Sequence, residues 1–374
     1  MRLTTDRGDA ERYPRLMYAA KFVFGDADVK VHYGLSPAEN AVFVPRKSEL
    51  LFARGVSPVS PPEDCSDLFF AVFYFLTEYD CWSGAVGTDA HGRYRDEERT
   101  AVRKGWTDEP FLDAAIEQLT GRREEFRLVP TLDVDGPWKY KHKPFWVRWG
   151  GMLKGDVPGR MRVECGGPDP YEAWERIRRF PPQTILFWLL GGQTPYDTRY
   201  RANNPHVRKL IRSLPFEAGV HPSYNAAFSS DLLVQEIEAL SQIVGRAVEK
   251  SRMHFLRYRL PYTHRALVEA GIREDYTTCM PAVAGFKYGT ARPFPWFDVE
   301  KNVETALMLV PTLWMDRTFL TYEKLTPAAA AARASAIAEK ARLFGGHAAV
   351  LLHPPSLAGA DEWAGWESLA DTVV

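Results

Sequence analysis

From Arg127 to the C-terminus the chain repeats one pattern, a short apolar run followed by a longer segment of helical period. The runs RLVPTLDV, QTILFWLL, EAGVH, ETALMLV and AAVLLH recur in this way. Short apolar runs recurring between segments of helical period are the signature of a parallel sheet or barrel. Such strands alternating with helices build a parallel sheet or barrel with the helices packed outside. Two of the helices announce their ends. One is predicted to take Ser230 as its N-cap, to carry Leu233, Ile237, Leu240 and Val244 at helical spacing, and to stop at Gly245. Another opens on Thr326 and Pro327 and runs through an alanine-rich stretch to Gly345.

The N-terminal third reads differently. A helix is predicted over 14–24, with strands at 29–33, 41–44 and 49–53 separated by turn residues. Residues 67–79 are apolar on most sides, which predicts a buried helix, and SGAVGTDAHGRYRDEERT after it reads as an exposed loop. A helix over 109–119 stops at Gly121, and the charged run GRREEF marks a boundary. The expected organisation is a mixed α/β domain over 1–124 followed by the strand–helix region over 125–374. A length of 374 residues suits two or three domains at roughly 100–200 residues each.

Charge and cysteine content narrow the function. With 47 basic and 48 acidic side chains the formal net charge is −1, which offers no field for non-specific attraction of nucleic acid or an anionic membrane. The longest apolar stretch, Leu68 to Leu76, is about half of the ~20 residues that cross a bilayer. The start MRLTTDRGDAERYP has no apolar secretion core, so the expected location is the cytoplasm. Cys65, Cys81, Cys165 and Cys279 are widely spaced, with no CxxC pair, and read as isolated thiols. Aromatic residues make up 13% of the chain, enough to fill a core and to stack on sugar rings or bases.

In parallel α/β folds the reactive side chains gather at the carboxyl ends of strands. Polar residues directly after apolar runs are therefore the candidates: Asp133 and Asp135 after RLVPTL, His221 after EAGV, Arg252 and His254 in EKSRMHF, and His353 after AAVLL. Two carboxylates before Gly136 and Pro137 can hold a divalent cation, divide base and ligand roles, or cap a turn. A D-x-D pair also serves metal-dependent glycosyltransferases, a competing reading that leaves the histidines unexplained. Neutral imidazoles suit zinc and related metals. An arginine beside them can orient a carboxylate and keep it ionised. Each group has a plain structural use as well: a core histidine bonded to a carbonyl, or an arginine in a salt bridge. His32, His91, His142, His206, His264 and His347 lack such company and are assigned no chemistry.

The segments TLDVDGPWKYKHK, EAGVHPSY, SRMHFLRYRLP, GFKYGTARPFPWFD and LLHPPSL resemble, in order and spacing, the bacterial polysaccharide deacetylases, the carbohydrate esterases with NodB homology. The stretch FYFLTEYDCWSGAVGTDAHGRYRDEERTAVRKGWTDEPFLD is similar to an accessory region found in one branch of that family. The resemblance implies a distorted (β/α) barrel, preceded by the smaller α/β domain, and hydrolysis of the amide bond of an N-acetyl group on a sugar, using a divalent metal such as zinc. Two adjacent aspartates of the family correspond to Asp133 and Asp135, here separated by Val134; Asp133 is assigned the base and Asp135 the metal. The family's histidine pair corresponds to His221 and to Asn225, which is no ligand. Arg252 matches the arginine that contacts the base, and His254 stands where proline is usual. The expectation is that His254 replaces the lost ligand. His353 matches the general acid, followed by Pro354 in place of an aspartate.

The implied chemistry has Asp133 deprotonate water, Arg252 keep Asp133 charged, and His353 protonate the departing amine, with backbone NH groups near Ser223 and Tyr224 holding the oxyanion. Tyr224 and Trp138 are expected to stack on sugar, as are Tyr288, Trp296 and Trp314, and Asp316 to bond its hydroxyls. Departures from the family pattern leave one alternative: a catalytically inactive deacetylase-like protein that binds glycan or acts as a scaffold. The expected partner is a carbohydrate and no nucleic acid.

Overall fold

The computed structural model describes residues 1–143, 147, 157–198 and 200–373. Strands β1 (Arg2–Thr5), β2 (Gly8–Asp9), β3 (Lys30–Gly34) and β4 (Val42–Pro45) form a small sheet in the order β2-β1-β3-β4. Helix Pro14–Phe24 starts on its proline and ends at Gly25, as its sequence predicts. Helix Leu68–Leu76 buries all nine of its side chains, and Asp67 caps it by accepting from the Phe70 NH at 3.0 Å. A cap of this kind stabilises a helix by about 1 kcal/mol. Residues 49–53 are not a strand. Leu50 and Leu51 are both buried, which alternation in a half-exposed strand forbids, and Leu50–Phe52 is a helical turn closed by Phe52 NH to Glu49 O at 3.0 Å.

The larger sheet contains β5 (Phe126–Val134), β6 (Ile185–Trp188), β7 (Glu217–Val220), β8 (Lys250–Ser251), β9 (Glu274–Asp275), β10 (Phe294–Asp298), β11 (Val303–Leu309), β12 (Thr312–Met315) and β13 (Gly346–Leu352). Their order is β10-β11-β9-β8-β7-β6-β5-β13-β12, and every neighbouring pair is parallel except β10 with β11. Strands β11 and β12 flank opposite sides of the parallel set, yet only Val310 and Pro311 separate them. Val310 NH still bonds Asp275 O beside β9 at 3.0 Å, while Thr312 already pairs with Ala349 of β13. One short stretch can serve both flanks only if the sheet curls round to meet itself. The architecture is a distorted α/β barrel. Helix Ser230–Val244 packs outside it, capped by Ser229, not Ser230, whose hydroxyl accepts from Leu232 NH, and closed by Gly245 at φ 78°. Helix Pro327–Phe344 begins at the predicted Thr326 cap.

Side chains from the first 124 residues belong to the same continuous apolar core as those of the barrel. Arg15, without solvent exposure, donates to Leu50 O at 3.2 Å, to Asn302 Oδ1 at 2.9 Å and to Val299 O at 3.3 Å. Glu78 accepts from Tyr288 at 2.8 Å and pairs with Arg99 at 2.5 Å and Lys287 at 3.0 Å in a buried network. Each buried charge there has a partner, which burial of ions requires. Among the described residues no helix is long and apolar enough to cross a membrane. All four cysteines are free.

Candidate metal centre

The carboxyl ends of five strands converge. Asp133 closes β5 and Asp135 follows it; His221 follows β7, Arg252 and His254 follow β8, Asp316 follows β12, and His353 follows β13. They surround a cavity of about 530 Å³ that Asp133, Asp135, His221, His254 and His353 help to line. Ligand atoms from Asp135, His221 and His254 lie within 4.8 Å of one another and could hold a metal ion. His221 Nε2 is 3.2 Å and His254 Nε2 is 3.7 Å from Asp135 Oδ1. That oxygen is shut off from solvent and accepts no hydrogen bond, although the side chain as a whole is 45% exposed. A buried acceptor facing two ring nitrogens without bonding either is a place suited to a cation.

The tautomers fit as well. His221 Nδ1 lies 2.6 Å from the Arg252 carbonyl, which can only accept, so Nδ1 carries hydrogen and Nε2 presents its lone pair. Burial disfavours a charged His221, but Asp133 and Asp135 outweigh burial and raise its pKa. Burial likewise opposes charge on Asp135, and His254, His221 and His353 hold its carboxyl well below the usual range.

Arg252 organises the barrel interior from a fully buried position. It donates to Asp133 Oδ1 at 2.9 Å, Thr131 Oγ1 at 2.7 Å, Thr312 Oγ1 at 3.1 Å and Tyr276 O at 3.0 Å. Its guanidinium lies 4.7 Å from the Phe187 ring centroid. Arg252 takes up Asp133 Oδ1, while Asp133 Oδ2 lies 3.6 Å from the same His221 Nε2 that faces Asp135. His353 lies across the cavity, its Nδ1 2.7 Å from Asp316 Oδ1 and its Nε2 4.0 Å from Asp135 Oδ2. Burial depresses the His353 pKa; Asp316, then Asp135 and Asp133, reverse that and push it up to about 9.

Several expected substrate contacts are placed elsewhere. Asp316 has no exposure and is spent on His353, Ser356 Oγ at 2.5 Å and Arg317 NH at 2.6 Å, so it cannot meet sugar hydroxyls. Trp138 is buried against Tyr200 and His142. The Tyr224 ring is covered by the Arg257 guanidinium at 3.5 Å, and its hydroxyl lies 3.0 Å from His91 Nδ1. Tyr288, Trp296 and Trp314 are core residues. The NH groups of Ser223 and Tyr224 already donate to Glu236 at 2.7 Å and Asp197 at 2.8 Å, so neither is free for an oxyanion. Asn225 lines a separate cavity with Gly191 and Glu236. The aromatic rings lining the cavity are Tyr171, Phe255, Tyr322 and Trp363.

Asp197 escaped the sequence reading. Its Oδ1 lies 3.7 Å from His254 Nδ1, and its carboxylate is held by Thr194 NH at 2.8 Å, Thr194 Oγ1 at 2.6 Å and Tyr224 NH. Room for it depends on Gly192: a Cβ there would stand 2.1 Å from Asp197 Cγ, at a φ of +83°. The rule that found the other candidates, a polar group following an apolar run, also applies to GGQTPYD after QTILFWLL.

No family model matches the chain, and no curated protein matches it. Solved structures do. Among them are two chains assigned as polysaccharide deacetylases and an allantoinase. A chain assigned as a polysaccharide deacetylase of Mycobacterium smegmatis aligns at 16% identity and TM-score 0.41, over 67% of this chain and 82% of that one. One so assigned from Pseudomonas aeruginosa PAO1 aligns at 12% identity and TM-score 0.42, over 66% and 82%. Puue allantoinase aligns at 13% identity and TM-score 0.38, over 66% and 82%. Likeness of this degree says nothing of substrate, which must be argued from the site itself.

Proposed function

We propose that the protein is a metal-dependent hydrolase that removes an N-acetyl group from an amino sugar. The observation that carries this reading is the convergence of Asp135, His221 and His254 between an Arg252-bound carboxylate and an Asp316-bound imidazole. Asp135, His221 and His254 would hold a divalent ion, and two imidazoles with a carboxylate suit zinc; bound there it would supply Lewis acidity toward the acyl oxygen and acidify water. Asp133 takes the proton of the attacking water; Arg252 occupies its Oδ1 and fixes the direction of the carboxylate. His353 gives a proton to the departing amine, which cannot leave as an anion. Asp316 keeps that imidazole protonated and fixes its direction through Nδ1.

The test is direct. The purified protein, reloaded with zinc, is assayed for bound metal and for acetate released from N-acetylated sugars. One equivalent of metal and acetate release lost in Asp133→Asn support the proposal. Stoichiometric metal absent from wild type, or metal and activity unchanged in His221→Ala and His254→Ala, overturns it.

A further inference from the structure

The rim of the cavity is a chain of side-chain ties between segments far apart in sequence. The exposed loop after helix Leu68–Leu76 folds back on itself at the Thr88–Tyr94 bridge and reaches the barrel mouth through Arg93. Its His91 ring lies 5.1 Å from Phe255, and its His91 carbonyl accepts from Arg257 Nε at 2.6 Å. Its Arg93 lines the cavity, holds Asp89 at 2.7 Å and donates to the Tyr322 hydroxyl at 3.3 Å. On the same turn as Tyr322, Arg317 lies 4.6 Å over the Trp363 ring and pairs with Glu362 at 3.0 Å. The neighbouring Asp361 accepts from Tyr171 at 3.3 Å.

These links tie the lining segments in series, from Phe255 through Arg93 and Tyr322 to Trp363 and Tyr171. A polymer lying across a site needs two gaps in the rim, one to enter and one to leave. The ties join these segments into one collar, so a chain lying over that side of the mouth would have to break them. The cavity of about 530 Å³ is of the size that encloses a small molecule. We infer that the site takes a small or chain-end acylated sugar, not an internal unit of a polymer, and that Arg93, through Tyr322, sets this limit. The inference rests on the hydrolase reading and gives the N-terminal region a part in substrate selection.

Two measurements on the zinc-loaded full chain test it. Acetate release is compared between a short N-acetylglucosamine oligomer and a soluble polymer of the same sugar, and binding of both is measured by calorimetry in Asp133→Asn. Wild type is expected to prefer the oligomer by about tenfold or more per acetyl group. Arg93→Ala, and to a lesser degree Tyr322→Phe, should reduce that preference at unchanged metal content. The Asp133→Asn protein should bind the oligomer more tightly per site than the polymer. Equal treatment of oligomer and polymer by wild type, or a preference untouched by both substitutions, overturns the inference. Length-selective binding without any acetate release overturns the hydrolase reading while leaving the collar's selectivity in place.

Discussion

His353 Nδ1 lies 2.7 Å from Asp316 Oδ1, and the His353 NH donates to the other oxygen of the same carboxylate at 2.8 Å. One fully buried side chain thus sets both the charge and the direction of the imidazole. Burial alone would lower its pKa, and Asp316 is the largest influence raising it to about 9. A general acid acts only while protonated, so activity should fall as pH rises through the His353 pKa. Asp316→Asn removes the raising charge and should move that alkaline limb down by roughly 1–2 pH units. A pH profile of kcat/KM reads the shift, and an unmoved limb removes His353 from the acid role.

Asp197 Oδ1 stands 3.7 Å behind His254 Nδ1, which makes no hydrogen bond, so the carboxylate is placed to orient the ring once that nitrogen donates to it. Partners of this kind typically change metal affinity about 10–100-fold when removed. Asp197→Ala should weaken zinc binding by that order, measured by chelator competition, with the far-ultraviolet circular dichroism preserved. Gly192→Ala should act in the same direction, because its Cβ would displace Asp197, and should also lower the melting temperature. Wild-type affinity in Asp197→Ala would show that His254 is oriented without it.

The buried pair Arg252 and Asp133 should be costly to break from one side. Arg252→Met leaves the Asp133 carboxylate buried without its cation, a loss of about 3–5 kcal/mol. Adding Asp133→Asn removes the stranded charge and should restore part of that stability. Urea unfolding of the two variants measures the difference. Equal stability of single and double variants would show that Asp133 finds another partner.

Asp275 gives a pH signature of stability. It is buried in the barrel, and burial raises its pKa to about 6 although Ser251 and Thr277 donate to it at 2.8 and 2.7 Å. The folded chain therefore holds this proton to higher pH than the unfolded chain does. Its contribution is full below the unfolded pKa near 3.8 and is lost as pH rises through about 6. Asp275→Asn keeps an acceptor for both hydroxyls and carries no charge. Relative to wild type it should gain stability between those pH values, by roughly 1–3 kcal/mol at neutrality. Thermal unfolding across that window checks the sign, and a constant difference at all pH values would refute it.

Much of the barrel could be read in one dimension. The apolar runs of β5, β6, β7 and β13 are covered on both faces over most of their length, so their strand character can be read without knowing their partners, whereas β11 keeps Val303, Glu304 and Ala306 exposed. The same holds for caps, since Thr326 and Gly245 act on backbone groups within a few residues. Residues 49–53 misled because two adjacent leucines can be buried by a helical turn as well as by a strand, and the partner surface decides. Asp133, Asp135, His221 and His353 could be nominated because each lies at the end of an apolar run, a local property, whereas Arg252 and His254 follow the two-residue strand Lys250–Ser251, which no apolar run marks.

Their pairings were not local. Arg252 meets Asp133 across 119 residues, His353 meets Asp316 across 37, and Arg93 meets Tyr322 across 229. Whether an aromatic ring stacks on sugar or fills the core depends on which face its neighbours leave bare. The ring of Tyr224 is lost to Arg257, while Phe255 keeps a face on the cavity. Periodicity and chain order settle which residues can enter a strand, a cap or a strand end, because those depend on neighbours along the backbone. Curling the sheet until β11 runs into β12 settles which of them touch, because contact depends on distance in space.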